Sequence, residues 1–168
     1  HVADVLALTG LGTAEGFISG GCVLITKPGA PGYGEVDRIL FEKNLYVLAL
    51  YFGPISKEKV LKSEEMVEMV NKYGHSALMK IKRKPTVESL LKYSREFAEK
   101  SGIGNPEMLK ISDELKNNGA IGATQNMIGM AVHSVVRKRD IEKILKIAKE
   151  YTEKIIVSKI YEDGPKFL

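Results

Sequence analysis

Three histidines, one cysteine and two glycine-rich stretches are the parts of this 168-residue chain most open to a chemical reading. His1, His75 and His133 lie far apart and lack metal-ligand spacing. His133 sits in an apolar run and reads as a satisfied core histidine. His75 follows Gly74 and reads as a helix-end residue, where an imidazolium suits the negative end of the helix dipole. Cys22 follows Gly20-Gly21, and nothing beside it in sequence would lower a thiol pKa, so it reads as a small buried residue. Neither G-x-x-x-x-G-K-[ST] nor G-x-G-x-x-G occurs. Eight of the 16 glycines fall within residues 1–34: Gly10, Gly12, Gly16, Gly20, Gly21, Gly29, Gly32 and Gly34. Such density marks tight turns or a ligand-facing loop, because glycine lets another backbone or a ligand come close. The cations nearest this region are Lys27 and Arg38. Either can meet a carboxylate or phosphate, arginine in bidentate fashion, or simply form a surface ion pair. Asn117–Thr124 is the second small-residue stretch, with Gly119, Gly122, Ala123 and Thr124.

The elements that must position these residues follow from pattern. Cys22–Thr26 is a short apolar run between Gly21 and Pro28, a strand. Lys27–Gly34 is too rich in proline and glycine for a helix or a central strand. Glu35–Phe41 and Leu45–Phe52 are two β-rich runs, and the three residues between them predict a hairpin. Ser63 opens a helical pattern that the Gly74-His75 pair ends or kinks, with Ala77–Ile81 resuming it. Thr86–Lys100 is a second helix, stopped at Ser101-Gly102. Pro106–Leu115 is a third, with proline in a permitted first-turn position. Lys116–Thr124 is expected as a loop, and Met127–Val136 as a helical turn running into a buried strand. Asp140 is expected to cap a last helix reaching about Glu153, and Lys154–Tyr161 is the last strand. Strands and helices in this order predict an α+β layer architecture.

Composition narrows the class. The length suggests one folding domain rather than several. With 44% hydrophobic and 27% charged residues, the chain sits in the ordinary globular range. A single cysteine excludes an intrachain disulfide framework and fits a reducing compartment. No run of 18 apolar residues occurs, so no membrane-spanning helix and no membrane partner are expected, and no secretory signal pattern opens the chain. The formal charge is +4. The longest basic cluster, Lys80-Ile81-Lys82-Arg83-Lys84, stops at Pro85 and has no interleaved aromatics. The excess therefore reads as solvated surface, and no nucleic-acid partner is expected. His1–Leu8 starts inside an apolar, helix-capable stretch, from which we expect that the chain is a piece of a longer protein.

Several segments together resemble the pantoate kinases of the GHMP kinase superfamily. They are Leu8-Thr9-Gly10-Leu11-Gly12, Gly20-Gly21, and Lys27-Pro28-Gly29-Ala30-Pro31-Gly32-Tyr33-Gly34 with Glu35–Ile39. In that family G-T-G-L-G-D leads to a G-G strand and a K-P-G-A-P-G loop. Ser94–Ala98 continues the likeness. So does Ala123-Thr124-Gln125-Asn126-Met127-Ile128-Gly129, similar to the family's A-S-M-A-M-L-G segment near its third motif, and so does Ile160–Leu168. The resemblance implies a GHMP C-terminal type fold, an antiparallel sheet with helices packed on one face. It implies a cytoplasmic, ATP-dependent kinase, with Mg²⁺, acting on the primary hydroxyl of pantoate in coenzyme A biosynthesis, and dimers are usual. It places substrate contacts at Thr9, Gly10, Gly12, Gly20, Gly21, Lys27 and Arg38, and support of the nucleotide loop at Gly119, Gly122, Ala123 and Thr124. Residues 1–34 would be a glycine-rich segment at the junction with a missing N-terminal domain, and 35–168 the C-terminal domain.

Two departures stand out. The family's P-x-x-x-G-[LF]-G-x-S-[GA]-A phosphate loop is absent from these residues, so negligible activity is expected of the chain alone. And Thr13 stands where the family has aspartate. A threonine hydroxyl donates and accepts hydrogen bonds but takes no proton at neutral pH; as a structural residue, Thr13 reads as a helix N-cap. A kinase for another small hydroxy compound, or a non-catalytic ligand-binding module on the same scaffold, are the alternatives.

Overall fold

The computed structural model describes residues 13–30, 32–54, 63–127 and 129–164. They form two compact units: one from residues 1–41 and 160–168, the other from residues 42–159.

The first unit holds helix α1 (Thr13–Ser19) and an antiparallel pair, β1 (Val23–Lys27) with β2 (Glu35–Arg38). Val23 faces Arg38 and Lys27 faces Glu35, so Lys27–Gly34 is the connection of a β-hairpin. The amides of Tyr33 and Gly34 both donate to the Ala30 carbonyl, at 2.8 and 2.9 Å. The hairpin expected between β2 and the next strand does not form: β2 pairs with β1 instead. Three of the four β2 residues, Glu35, Asp37 and Arg38, are exposed and charged, whereas the strand that follows sends Leu48 and Leu50 into a core.

That strand is β3 (Leu45–Gly53), a central strand of the second unit. Its sheet runs β4-β5-β3-β6, antiparallel throughout, with β4 spanning Gly122–Gln125, β5 Met130–Arg137 and β6 Ile155–Lys159. Four helices belong to this unit: α2 (Glu64–Arg83), α3 (Val87–Lys100), α4 (Pro106–Asn117) and α5 (Ile141–Ala148). The expected α+β architecture, an antiparallel sheet with helices, is observed. The core joins Leu48 and Leu50 of β3, Val132 and Val136 of β5, Met108, Ile111 and Leu115 of α4, and Ile144 and Ala148 of α5. Burying such side chains is worth roughly 1.5–3 kcal/mol each.

Local chemistry sets the helix ends. The Ser63 hydroxyl accepts from the Met66 amide at 3.1 Å, and Thr86 accepts from Ser89 at 3.2 Å. Asn105 caps α4 by accepting from the amides of Glu107 and Met108. Each cap satisfies donors that the first turn would otherwise leave orphaned. Glu64 and Glu65 open α2, and Lys80, Lys82 and Arg83 close it, both in favourable register with the dipole.

Four expectations need correction. Helix α2 runs unbroken through Gly74, because a helix tolerates one glycine at about 1 kcal/mol when tertiary packing supports it, so His75 lies mid-helix rather than at an end. The stretch expected as a loop supplies a strand: Gly122–Gln125 is β4. β5 is extended from Met130, and among the described residues before it none is helical between β4 and β5. Helix α5 ends at Ala148, and Asp140 sits at its N-cap position without a side-chain capping bond.

Candidate functional site

In the first unit the glycine pair closes α1. Gly20 and Gly21 have φ of 63° and 68°, a left-handed conformation that side-chain-bearing residues rarely adopt. The Gly20 amide bonds back to Gly16 at 3.2 Å, and the Gly21 amide donates to the Tyr161 carbonyl at 2.7 Å. A Cβ on Gly20 would fall onto the Asp163 carbonyl. The pair therefore fits a close backbone crossing of the segment 161–164. Arg38 joins the same place: its Nη2 donates to the Ser19 carbonyl at 2.7 Å, a cation on the negative end of α1. Thus Gly20, Gly21 and Arg38 come together. Lys27 lies at the other end of β1, in an exposed ion pair with Glu35 at 3.5 Å. Thr13 opens α1 and the glycines follow its end, about 10 Å apart along a helix of seven residues. Thr9, Gly10 and Gly12 lie outside the described residues. Burial raises the Cys22 thiol pKa, so the sulfur is not an activated nucleophile.

In the second unit Gly122, Ala123 and Thr124 are consecutive residues of the edge strand β4, and Gly119 sits in the turn after α4 with φ of 117°. Gly122 has a packing reason: a Cβ there would lie 2.7 Å from Leu91 Cβ of α3. Ala123 is buried in the core cluster. Thr124 pairs with His133 across the β4–β5 ladder. His133 is half-buried rather than a core residue, and burial lowers its pKa. The Asn126 amide donates to the Ala131 carbonyl at 2.8 Å, closing the β4–β5 hairpin whose tip carries exposed Asn126 and Met127.

Behind that tip lies a residue that pattern reading passed over. Gln125 is 5% exposed, among the few buried polar side chains described. Its Oε1 accepts from the Asn105 amide at 2.6 Å, and its Nε2 donates to the carbonyls of Ile103 at 3.4 Å and Met127 at 3.5 Å. The signal available in sequence was its type, since it stands where the segment it resembles has methionine.

A groove of about 590 Å³ lies between α3 and α4 beside β4, lined by Leu91, Lys92, Arg95, Lys116 and Gly122 among others. Arg95 is engaged there, bidentate on Asp113 at 3.0 and 2.7 Å and bonded to Glu99 at 3.2 Å. On α3 Glu96 accepts from both Lys100, at 2.5 Å, and Lys80, at 2.9 Å; these bonds hold its carboxyl below the usual range. Tyr151 donates to Glu114, and this bond pushes the phenol up to about 12. These are structural ion pairs and hydrogen bonds between packed elements. Among the described residues no cluster of three metal-ligating side chains occurs, and no described helix is long and apolar enough to cross a membrane.

The fold is of a kind seen among the GHMP kinases. By structure the chain superposes on homoserine kinase from Cytophaga hutchinsonii with a TM-score of 0.64 at 13% identity, covering 98% of this chain and 57% of that one. That likeness speaks to the fold alone. Within this class the chain is similar to pantoate kinases. It is 30% identical to the pantoate kinase of Thermococcus kodakarensis over 166 residues, 99% of this chain and 55% of the relative. It is 29% identical to that of Methanocaldococcus jannaschii over 149 residues, 89% of this chain and 54% of the relative. A solved structure described as a phosphotransferase related to the CoA biosynthesis pathway matches with a TM-score of 0.87 and 29% identity, over 98% of this chain and 53% of that one. The chain thus spans about half the length of the curated relatives it matches. No family model matches it.

Proposed function

We propose that this chain is the C-terminal portion of an ATP-dependent kinase that phosphorylates the primary hydroxyl of pantoate, a step of coenzyme A biosynthesis in the cytoplasm. The observation that carries the reading is end-to-end similarity: pantoate kinase sequence over 99% of the chain, and a CoA-pathway phosphotransferase fold over 98% of it. In the reaction the hydroxyl oxygen forms a bond to the γ-phosphorus of ATP, the bond from that phosphorus to the departing ADP oxygen breaks, and the hydroxyl proton leaves. Positioning and charge stabilisation carry most of the catalysis in such transfers.

The family's phosphate-loop motif does not occur in this sequence, and among the described residues no cluster of three metal-ligating side chains occurs. The reading therefore assigns the phosphate loop to an N-terminal half, and to this chain the substrate side. Thr13 at the start of α1 would orient the hydroxyl without taking its proton. Gly20, Gly21 and Arg38 would shape the base of that helix, and the β4–β5 hairpin would support the nucleotide-binding loop. A homodimer is the expected assembly. Thr13 in place of an aspartate also favours a second reading, a kinase of this class for another small hydroxy compound.

The test is reconstitution. Mixing or co-expressing this chain with the N-terminal half of a pantoate kinase should yield ATP- and pantoate-dependent formation of phosphopantoate, while either half alone gives none. Two folded, associated halves without turnover on pantoate would overturn the reading, and turnover on another small hydroxy compound would select the second.

A further inference from the structure

Gln125 is a buried carboxamide, and its hydrogen-bond partners fix which way it points. The Asn105 amide can only donate, so the oxygen must face it; the Ile103 and Met127 carbonyls can only accept, so the NH₂ must face them. One side chain thus joins two connections: Ile103–Asn105, between α3 and α4, and Met127, at the tip of the β4–β5 hairpin. Asn105 extends the arrangement. Its Oδ1 caps α4, and its Nδ2 lies 3.6 Å from Met130 Sδ, where the hairpin re-enters the sheet. The tip itself is exposed at Asn126 and Met127, so the side chains that hold it come from behind. Burying a polar group without partners costs about 1–3 kcal/mol, so a fully engaged buried amide imposes one geometry on the backbone around it.

We propose that Gln125 is the positioning residue of the β4–β5 hairpin: through Asn105 and Met127 it fixes the exposed tip in the orientation that supports nucleotide binding in the assembled kinase. The catalytic part rests on the proposed function; the structural part does not. Gln125→Leu keeps a side chain of similar bulk and removes every hydrogen bond. Gln125→Glu keeps the acceptor facing Asn105 and removes the donors to Met127 and Ile103.

Amide hydrogen exchange on this chain reads the structural part. In Gln125→Leu the protection of the Asn105 amide should fall about five- to tenfold, the worth of one hydrogen bond. In Gln125→Glu that amide should stay protected. Steady-state kinetics of the reconstituted enzyme read the positioning part. Both variants should raise KM for ATP about fivefold, with kcat and KM for pantoate changed less than twofold. Unchanged Asn105 protection in folded Gln125→Leu, or an unchanged KM for ATP in both variants, overturns the proposal. If the reconstituted wild type shows no turnover, the kinase reading falls, and the exchange result still decides whether Gln125 holds the hairpin.

Discussion

Substituting Gly122 with alanine separates two explanations of the second glycine-rich stretch. If Gly122 is there to let α3 approach β4, the added methyl must push something aside. Its Cβ would lie 2.7 Å from Leu91 Cβ and 3.0 Å from Leu91 Cδ1. A Cβ–Cβ clash cannot be relieved by a rotamer change, because Cβ moves only with the backbone; α3 or β4 must shift. Overpacking of this kind costs about 1–3 kcal/mol. Gly122 does not have positive φ, so alanine also returns about 0.4–1 kcal/mol by restricting the unfolded chain. The net expectation is a destabilisation of about 1–2 kcal/mol, or a fall in Tm of about 2–8 °C for a chain of this size. Denaturant unfolding with an unchanged m-value measures it. Adding Leu91→Ala should not restore stability, since that substitution keeps the offending Cβ. If Gly122→Ala left stability within about 0.5 kcal/mol and instead weakened ATP binding by the reconstituted enzyme, the packing argument would be refuted and glycine would be needed for the ligand.

Two further perturbations test other parts of the structure. Burial lowers the His133 pKa from its ordinary 6.5, so the folded state binds its proton less readily than the unfolded state. The corresponding stability is complete above about pH 6.5 and is lost as pH falls through the lower folded pKa; urea midpoints from pH 8 to 5 should show the decline, and His133→Gln should flatten it. Thr13→Ala in the reconstituted enzyme should lower kcat roughly five- to tenfold, the worth of one orienting hydrogen bond, and turnover unchanged within twofold would remove Thr13 from the mechanism.

Much of the architecture was legible because it rests on local rules. Ser63, Thr86 and the Asn105-Pro106 step each mark a helix start by chemistry that operates within four residues. The apolar face of α5, from Ile141 to Ala148, announces itself by period. What local rules do not contain is the partner of a strand. β2 and β3 are adjacent in sequence with a hairpin-length gap, yet β3 lies between β5 and β6. The decision is made by burial: β3 alternates its residues into a core built from helices about 60 to 100 residues away in sequence, while β2 carries charges on most positions. β4 was illegible for a related reason. Gly122-Ala123-Thr124 has weak strand propensity, since only Thr124 is β-branched; it becomes a strand because β5 offers it a ladder and Leu91 leaves room only for glycine.

The same contrast applies to the site. Glycine density drew attention to residues 20–21 and 119–124, and the structure supplies a close neighbour at Gly20 and Gly122, and a positive φ at Gly20 and Gly21, sufficient to require glycine without a ligand. A glycine is therefore weak evidence for substrate contact until its packing neighbours are known, because close approach by protein and by ligand demand the same residue. A buried amide is the opposite case. Gln125 would be costly to bury unless its bonds were needed, and those bonds lead to an exposed hairpin tip rather than into the core. The physical asymmetry favours looking behind a loop, at the polar group whose burial must be compensated, before looking at the small residues within it. It also explains why the position was missed from sequence: the glutamine stands out only against the methionine of the segment it resembles, and only the fold brings Asn105 to within hydrogen-bonding distance across 20 residues.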